Sequence, residues 1–425
     1  MKRYSEYKDS GISWLGQIPS HWEEKRISAL CFQRSVSNCS NEPLLSVFLG
    51  KGVVPFNSEN SRRTNAITDD TDLSKYQLVE PGDFVLNNQQ AWRGSVGVSF
   101  IRGIVSPAYI IVRFKDKINF HFANYSLQSR HMIGQFYVYS RGVGSIQRNI
   151  YWDSLKSCIF PIPPIDEQEA IVEYLDSKTS KIDTYIAERE KEISALQELK
   201  QAEIAHIVTH GLNPDVPMRD SGIPWLGQIP AHWDELKLSQ VAKEHFISNK
   251  DVHHQNLLSL SYGKIVRRDI NATEGLLPAS FDTYQIVEPG NIVLRLTDLQ
   301  NDQRSLRVGL AKEEGIVTSA YLALQVRDNI IPEYLYLYLH SADIHKYFYS
   351  LGSGIRQNLN FTGLRDILIA IPPIKEQKAI VDYINAKISK IDSLIADLTS
   401  QIEKLKEYKQ RLIADVVTGQ VDVRK

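Results

Sequence analysis

One stretch of the chain has the residue types of a metal-dependent nuclease. Asp215 follows a proline, and Glu235 and Lys237 lie downstream with one residue between them, which matches the order in which two carboxylates hold Mg²⁺ while a lysine assists the nucleophile. Asp215 lies in a polar stretch between two similar halves of the chain, however, and the first half has no matching Pro-Asp pair. A Mg²⁺-dependent nuclease therefore stays open only as an alternative.

Other catalytic and cofactor motifs are absent from the sequence. It has no phosphate-binding loop, serine nucleophile elbow or zinc-binding His-Glu-x-x-His, and no Asn-Pro-Pro-aromatic run typical of an adenine methyltransferase. Its three cysteines form no Cys-x-x-Cys pair, and His253–His254 has no second ligand cluster. We therefore expect no catalytic residue, metal or cofactor in this chain.

Side chains that can read DNA bases are concentrated in a few loops. Arginine pairs with guanine and asparagine or glutamine with adenine, while glycines let the backbone approach a phosphate. Loop 88–95 carries amides and an arginine, and loop 140–149 combines glycines with arginines. The residues that we expect to contact DNA are Arg62, Arg63, Asn88, Gln89, Gln90, Arg93, Arg141, Ser145, Gln147, Arg148, Arg267, Arg268, Arg295, Thr297, Gln303, Arg304, Arg307, Arg356, Gln357 and Asn358.

The chain contains one pattern twice. Three pairs of matching blocks occur in the same order: DSGISWLGQIPSHW and DSGIPWLGQIPAHW, YQLVEPGDFVLN and YQIVEPGNIVLR, IPPIDEQEAIVEYL and IPPIKEQKAIVDYI. The repeated Trp residues of the first block are expected to pin this segment onto a core, and the repeated His21 and His232 to pack in the core or on the surface. The copies differ most at 52–75 and 88–95 in the first and at 265–283 and 296–307 in the second. Matching blocks that alternate with divergent loops indicate two modules that share one fold and one function but act on two different targets.

Each copy of the repeat is predicted to form a module of strands and helices, followed by a long helix. Short β-rich runs separated by Gly, Asn, Asp and Pro predict strands, and a helix is expected from Ile118 and from Ile331. After a pair of prolines, apolar residues recur with a seven-residue period, which is typical of a coiled coil. The helix-pairing residues are Leu175, Ile182, Ile186, Ile193, Leu196, Ile384, Ile388, Ile391, Ile395, Leu398, Ile402, Leu405 and Leu412.

The two long helices are predicted to run antiparallel. Lys200 and Lys409 occupy the same interior heptad position, so they would face each other in a parallel pair, whereas antiparallel pairing separates them and lets each ammonium reach water. The predicted fold class is α+β, with two globular modules related by pseudo-two-fold symmetry and joined by two long antiparallel coiled-coil helices. The boundaries are 1–161 for the first module, 162–212 for the central helix, 213–370 for the second module and 371–425 for the last helix.

Composition narrows the class of protein further. With 49 basic and 50 acidic side chains, the net charge is −1, which argues against non-specific wrapping of DNA but allows recognition through local patches. No apolar run approaches the about 18 residues of a membrane span, and the N-terminal residues do not form a signal peptide. A cytoplasmic location is expected.

The repeated lead-in block, the IPPIxEQxAIV helix start and the Ser-Lys-Ile-Asp run of both helices resemble specificity subunits of type I restriction-modification systems over essentially the whole chain. The resemblance implies that the modules are target-recognition domains, each reading one half of a split, asymmetric DNA site. It also implies docking of two methyltransferase subunits, which use S-adenosylmethionine, and of motor–nuclease subunits, which use ATP and Mg²⁺. Besides a specificity subunit and a Mg²⁺-dependent nuclease, a third possibility is a coiled-coil scaffold that has no role on DNA.

Overall fold

The computed structural model describes residues 2–12, 15–56, 72–115, 117–143, 147–250, 254–271, 278, 280–299, 302, 306–351 and 358–424. The chain forms two compact units. Unit 1 consists of Met1–Arg189 together with Ser400–Lys425, and unit 2 of Glu190–Thr399. Each unit therefore contains one module with the beginning of one long helix and the end of the other.

The module of unit 1 is built from short strands and four short helices, and the first long helix follows it. Its elements are β1 (Tyr7–Asp9), β2 (Gln17–Pro19), β3 (Glu23–Arg26), α1 (Ile27–Leu30), β4 (Cys31–Arg34), β5 (Leu45–Phe48), β6 (Gly52–Pro55), β7 (Gln77–Val79), β8 (Asp83–Asn87), a 3₁₀ turn (Ala91–Arg93), β9 (Val96–Val98), β10 (Gly103–Val105), β11 (Tyr109–Phe114), α2 (Phe120–Leu127), α3 (Arg130–Tyr139), β12 (Arg141–Val143), β13 (Gln147–Asn149), α4 (Trp152–Leu155), β14 (Ile159–Ile162) and α5 (Ile165–His210).

The module of unit 2 repeats most of this order. Its elements are β15 (Met218–Asp220), β16 (Gln228–Pro230), β17 (Asp234–Lys237), α6 (Leu238–Val241), β18 (Ala242–His245), β19 (Ile247–Ser248), β20 (Leu258–Ser261), β21 (Lys264–Arg267), β22 (Gln285–Val287), β23 (Ile292–Leu294), β24 (Val308–Leu310), β25 (Gly315–Val317), β26 (Leu322–Val326), α7 (Pro332–Ile344), α8 (Tyr347–Leu351), α9 (Phe361–Leu364), β27 (Leu368–Ile371) and α10 (Ile374–Val417).

An antiparallel four-stranded sheet lies at the centre of each module. Its strand order is β4-β11-β8-β9 in unit 1 and β18-β26-β23-β24 in unit 2. The central strands β8 and β23 are buried along almost their full length because their Val, Leu, Ile and Phe side chains pack on both faces. The predicted strands and the helices expected from Ile118 and Ile331 are confirmed by β5, β8, β9, β11, β20, β23, β24, β26, α2 and α7.

The two long helices pair in an antiparallel sense inside each unit. In unit 1, Lys409 Nζ lies 2.7 Å from Asp183 Oδ1, and in unit 2, Lys200 Nζ lies 2.6 Å from Asp392 Oδ1. Antiparallel pairing is thus confirmed, but each ammonium ends on an aspartate of the opposing helix instead of only in water. All thirteen predicted helix-pairing residues are buried or half-buried, as packing of a heptad stripe requires. No helix among the described residues is long and apolar enough to cross a membrane.

The Glu-Gln pair at the start of each long helix attaches that helix to its module. Glu167 accepts a hydrogen bond from Trp22 Nε1 at 3.2 Å and lies 2.8 Å from His21 Nε2. Gln168 accepts from the backbone N–H of Asn119 at 2.9 Å, at the first turn of α2. The same contacts recur in unit 2: Glu376 with His232 and Trp233, and Gln377 with Ile331.

These contacts give the repeated residues different roles: the tryptophans pack in the interior, whereas His21 and His232 are exposed and contact the glutamates. Trp22 and Trp233 are only 1% and 2% exposed, so their indole N–H groups need an acceptor that water cannot supply. Packing is confirmed for these two tryptophans, and Trp225 packs partly buried against the core of unit 2. Trp14 lies outside the described residues.

Candidate nucleic-acid interface

The helix α3, which was not predicted, positions the loops of unit 1 that were expected to contact DNA. The Ser129 hydroxyl accepts a hydrogen bond from Met132 N–H and caps the helix. The buried Gln135 amide makes two bonds of 2.8 Å with the backbone of Ile159 in β14, one as donor and one as acceptor. This pairing fixes the rotation of α3, and Tyr137 on its last turn is 45% exposed.

Two predicted loops meet at Tyr137. The guanidinium carbon of Arg148 lies 4.1 Å from the Tyr137 ring centroid, and that of Arg93 lies 4.5 Å from the Trp92 ring centroid. The two rings are themselves 6.1 Å apart. We call Arg93, Trp92, Tyr137 and Arg148 the arginine–aromatic stack. Cation–π contacts of this kind hold a guanidinium in place while its N–H edge remains able to donate.

Backbone geometry holds the loop that carries Trp92 and Arg93. The indole Nε1 of Trp92 donates to the Gln89 carbonyl at 2.9 Å, and Gly94 ends the 3₁₀ turn with φ of 101°. A β-carbon at Gly94 would lie 2.9 Å from Ile133 Cδ1 on α3. Glycine is needed here both for the left-handed backbone and for the close approach to α3.

In unit 1, the arginines that pair with a carboxylate belong to the framework, whereas arginines without such a pair are candidates for DNA contact. Arg34 and Arg113 both bond the buried Asp83 at 2.8 Å, and Arg102 pairs with Glu42 at 2.8 Å. By contrast, Arg93, Arg141 and Arg148 form no ion pair with a carboxylate of the described residues. Arg93 and Arg148 lie on aromatic rings, and Arg148 also donates to the Tyr137 carbonyl at 3.4 Å and to the Tyr137 hydroxyl at 3.2 Å. Since no carboxylate neutralises them, both can bind a phosphate or a base with their remaining donors.

Arg307 corrects one prediction for unit 2. Its side chain is 0% exposed, so it cannot reach DNA, and it holds the 295–302 loop instead. The guanidinium donates to Tyr349 Oη at 3.0 Å and to backbone carbonyls of the loop: Arg295 at 3.0 Å, Thr297 at 2.9 Å, Asp298 at 3.3 Å and Asp302. The loop between β23 and β24 is longer than the loop between β8 and β9, where Ser95 stands in place of Arg307. The longer loop therefore obtains an internal donor for its buried carbonyls.

Asp343 on α7 extends this network. Its Oδ2 accepts from the backbone N–H of Arg307 at 2.5 Å, and the residue is 0% exposed. Burial raises the pKa of Asp343 from 3.8 to about 6, although the hydrogen bond from Arg307 opposes the rise. The folded state therefore binds the proton more tightly than the unfolded chain, and this contribution to stability is lost as the pH rises through about 6.

Replacing Asp343 with asparagine is expected to stabilise the protein at pH 8 by about 2–3 kcal/mol, since the buried charge disappears while an oxygen remains to accept from Arg307. The difference from the native chain should shrink as the pH falls and vanish below pH 4, where both side chains are neutral. Urea denaturation between pH 4 and 8 measures it. A difference that stays constant over this range would show that charge is not the cause.

Other predicted contacts in unit 2 have varied surroundings. Arg267 is ion-paired with Glu313, with its Nε 2.8 Å from the carboxylate, whereas Arg268 is exposed. Arg295 lies 3.8 Å from Asp302, and Asn358 accepts from the backbone N–H of Asp298 at 2.8 Å. The last bond brings the two predicted loops of unit 2 together, as the stack does in unit 1. Thr297 is half-buried in the same loop.

The remaining predicted contacts divide into two groups. In unit 1, Gln89 is exposed, Asn88 and Gln90 are half-buried, and Gln147 belongs to β13. The residues that lie outside the described part of the chain are Arg62, Arg63, Ser145, Gln303, Arg304, Arg356 and Gln357. Sequence reasoning missed Tyr137 and Trp92 as site residues. An aromatic residue directly before Arg93 was the available signal for Trp92, but the contact of Tyr137 with Arg148 depends on the folded helix.

The side chains of the nuclease-like pattern serve other contacts. Glu235 is ion-paired with Arg219, and Lys237 lies 2.9 Å from Asp366. Asp215 is exposed, and its backbone N–H donates to Asn213 Oδ1 at 3.0 Å. The described residues contain no group of three or more His, Cys, Asp or Glu that could hold a metal ion. Nothing in this arrangement favours the nuclease alternative.

Each unit joins a mixed module of strands and helices, whose loops hold arginines and amides, to the paired long helices. A family model described as the type I restriction modification DNA specificity domain matches residues 19–195 and 233–404. The chain therefore belongs to the type I restriction-modification DNA specificity family and carries the domain twice. It is a specificity subunit, which recognises DNA and is not a catalytic subunit.

Individual relatives agree with this family. The chain is 24% identical to the type I restriction enzyme MjaVIII specificity subunit of Methanocaldococcus jannaschii, over 96% of this chain and 95% of that protein. It is 19% identical to the type I restriction enzyme EcoBI specificity subunit of Escherichia coli, over 63% of this chain and 59% of that protein. A chain from a solved structure of a type I R-M system shares the fold, with a TM-score of 0.67 and 14% identity, over 95% of this chain and 99% of that one.

Proposed function

We propose that the chain recognises a bipartite, asymmetric site on double-stranded DNA, with one half-site read by each module. The observation that carries this proposal is the arginine–aromatic stack of unit 1. It combines two arginines that have no carboxylate partner among the described residues with two rings that restrict their motion. An arginine that is already oriented loses less conformational entropy when it forms a bidentate pair with a guanine or a phosphate.

The modules should read different half-sites because equivalent loops differ in length and chemistry. Unit 1 places Arg93 on an aromatic ring, whereas unit 2 has a longer loop organised by the buried Arg307. A module that presents different donors selects different bases. The recognition sequence is therefore expected to have unlike halves separated by a fixed gap.

Exposed apolar residues on the long helices support docking of two identical partner subunits. Three such positions recur at the same distance from the IPPI block in both copies: Ile165 and Ile374, Tyr185 and Leu394, Leu199 and Tyr408. All six are between 36% and 55% exposed. Single exposed apolar side chains are ordinary on a protein surface, so the support comes from their recurrence at equivalent positions of both helices, which would offer the same contacts to two identical partners.

We assign these repeated positions to two methyltransferase subunits that modify adenine with S-adenosylmethionine. Motor–nuclease subunits that use ATP and Mg²⁺ would join the same complex in the cytoplasm. The chain itself supplies no cofactor to these reactions. The native mass of the complex tests this assignment, since it should contain two methyltransferase subunits for each copy of this chain, and a single one would contradict it.

Mapping of N6-methyladenine in cells that express this chain with its methyltransferase subunit tests the proposed function. The expected result is methylation at one split motif with unlike halves and a fixed gap. A symmetric motif would contradict recognition by two different modules. No new methylation, with a methyltransferase shown to be active beside another specificity subunit, would reject the DNA-recognition proposal as a whole.

A further inference from the structure

Both modules contain a tight β-hairpin whose turn exposes a large apolar side chain. In unit 1 the turn between β5 and β6 begins with Leu49, which is 62% exposed. In unit 2 the turn between β20 and β21 begins with Tyr262, which is 83% exposed. Each of the two stands three residues after a Leu-Leu-Ser run and is followed by a glycine and an exposed lysine, Lys51 or Lys264. An exposed apolar side chain therefore recurs at equivalent positions of the repeat.

The hairpin turn of unit 1 lies beside the loop that was expected to contact DNA. The Ser95 hydroxyl donates to the Val47 carbonyl at 2.7 Å, which ties that loop to β5. Leu49 Cδ1 lies 3.6 Å from the place that a β-carbon of Gly94 would occupy, and Gly94 directly follows Arg93. Leu49 is therefore a neighbour of the arginine–aromatic stack.

The hairpin turn of unit 2 has the same neighbour. A β-carbon at Gly263 would lie 3.2 Å from Leu306 Cβ, and Leu306 stands at the end of the loop that Arg307 holds. The Tyr336 hydroxyl on α7 donates to the Gly263 carbonyl at 3.1 Å and fixes the turn. In both modules the exposed side chain thus extends the surface of the loop between the same two strands of the sheet.

The backbone of Tyr262 is strained, and burial does not explain it. Ser261 pairs with Lys264 in the hairpin, so Tyr262 and Gly263 form a two-residue turn with φ of 47° and 75°. Such turns favour Asn-Gly, because both residues need a positive φ that a bulky side chain rarely adopts. A side chain that is 83% exposed gains little from packing. A strained residue of this kind points to a function of the side chain itself.

The chemistry shared by the two side chains selects the kind of DNA contact. Leucine has no hydrogen-bonding group, so the contact that Leu49 and Tyr262 can have in common is apolar. Arginine reads guanine in the major groove, and the one apolar group that base pairs present there is the 5-methyl group of thymine. The exposed lysine beside each apolar residue adds positive charge for the adjacent phosphates.

We propose that Leu49 and Tyr262 each contact the methyl group of a thymine, one in each half-site. The proposal rests on the proposed function, because it names a further base contact of the same two modules. The loops supply hydrogen-bond donors, and the hairpin turns beside them supply the apolar contact.

Tyr262→Asn is the principal test variant, because asparagine suits this turn position and lacks the apolar ring. It should fold at least as well as the native chain, which a thermal melt checks, and yet bind the mapped DNA site about 10-fold more weakly. Leu49→Ala should cause a loss of the same order. Phe100→Ala is the matched control, since Phe100 is 44% exposed but follows the other end of β9 from loop 88–95, and it should leave binding unchanged.

Replacing each thymine of the site in turn by uracil removes only the methyl group and identifies the contact. Binding of the full native chain should weaken about fourfold at one thymine of each half-site. Tyr262→Asn should abolish this sensitivity in one half-site, and Leu49→Ala should abolish it in the other. Each variant therefore serves as the control for the other.

The outcomes separate this inference from the proposed function. If the native chain selects no DNA sequence at all, the proposed function fails and the inference fails with it. If the native chain is selective but both variants bind like it, only the role of the hairpin turns is overturned. Variants that bind more weakly while uracil changes nothing at any thymine would overturn the methyl contact, as would a half-site without thymine on either strand.

Discussion

Replacing Arg307 with alanine is expected to lower the free energy of unfolding of unit 2 by about 3–5 kcal/mol. Arg307 is 0% exposed, and its guanidinium donates to four backbone carbonyls and to Tyr349. The substitution leaves those carbonyls without their donor and opens a cavity between β23 and the loop that follows it. Urea denaturation of the full chain measures the loss, and hydrogen exchange should place it in unit 2 and not in unit 1.

Arg267→Ala is the matched control for this prediction. Arg267 is ion-paired with Glu313, and its side chain is 73% exposed. Solvent screens an exposed ion pair, so this variant should change stability much less than Arg307→Ala does. Equal effects of the two substitutions would contradict the structural role assigned to Arg307.

Removing both arginines of the arginine–aromatic stack is expected to weaken specific DNA binding by about 100-fold or more. Each well-formed arginine contact with a base contributes about 1–3 kcal/mol of discrimination against the wrong base. The double variant Arg93→Ala, Arg148→Ala removes two such contacts. The loss should be confined to the half-site of unit 1. Competition binding on DNA altered in one half-site at a time measures it, with methylation mapping as the readout in cells.

Two further variants identify the cause of this loss. Arg102→Ala removes an exposed arginine of the same unit that is already paired with Glu42 and Glu80, so it should leave sequence preference unchanged. Tyr137→Leu keeps both charges of the stack but removes the ring under Arg148, and it should lose part of the affinity. If Arg102→Ala weakened specific binding as much as the double variant, total charge rather than the stack would be responsible.

Sequence reasoning succeeded where one local rule decides the structure. Strands of Val, Ile, Leu and Phe between turn residues were confirmed because β-branched and aromatic residues favour an extended backbone. The heptad stripe from Leu175 to Leu412 could be predicted because the apolar period is itself the packing rule of paired helices, and its residues are buried or half-buried. The antiparallel sense of pairing was predicted from the positions of Lys200 and Lys409.

Contacts between distant segments were harder to predict. Lys200 and Lys409 were expected to reach water, yet each lies against an aspartate of the other helix, since the register of the pair decides what faces a lysine. The Glu-Gln pair that begins each long helix was recognised as a repeated motif, but its attachment of the helix to Trp22 and Asn119 depends on chain segments far away in sequence.

The chain's own sequence therefore determined its two-module plan, its paired helices and its family, because repetition and periodicity are written in the order of residues. Only the tertiary structure decided which arginines remain able to bind. Residue type is the same for Arg93, Arg267 and Arg307, but one lies on an indole ring, one on an exposed carboxylate and one in the interior. Burial and partner set whether a guanidinium has donors left for DNA, and both arise only when separate loops meet in the fold.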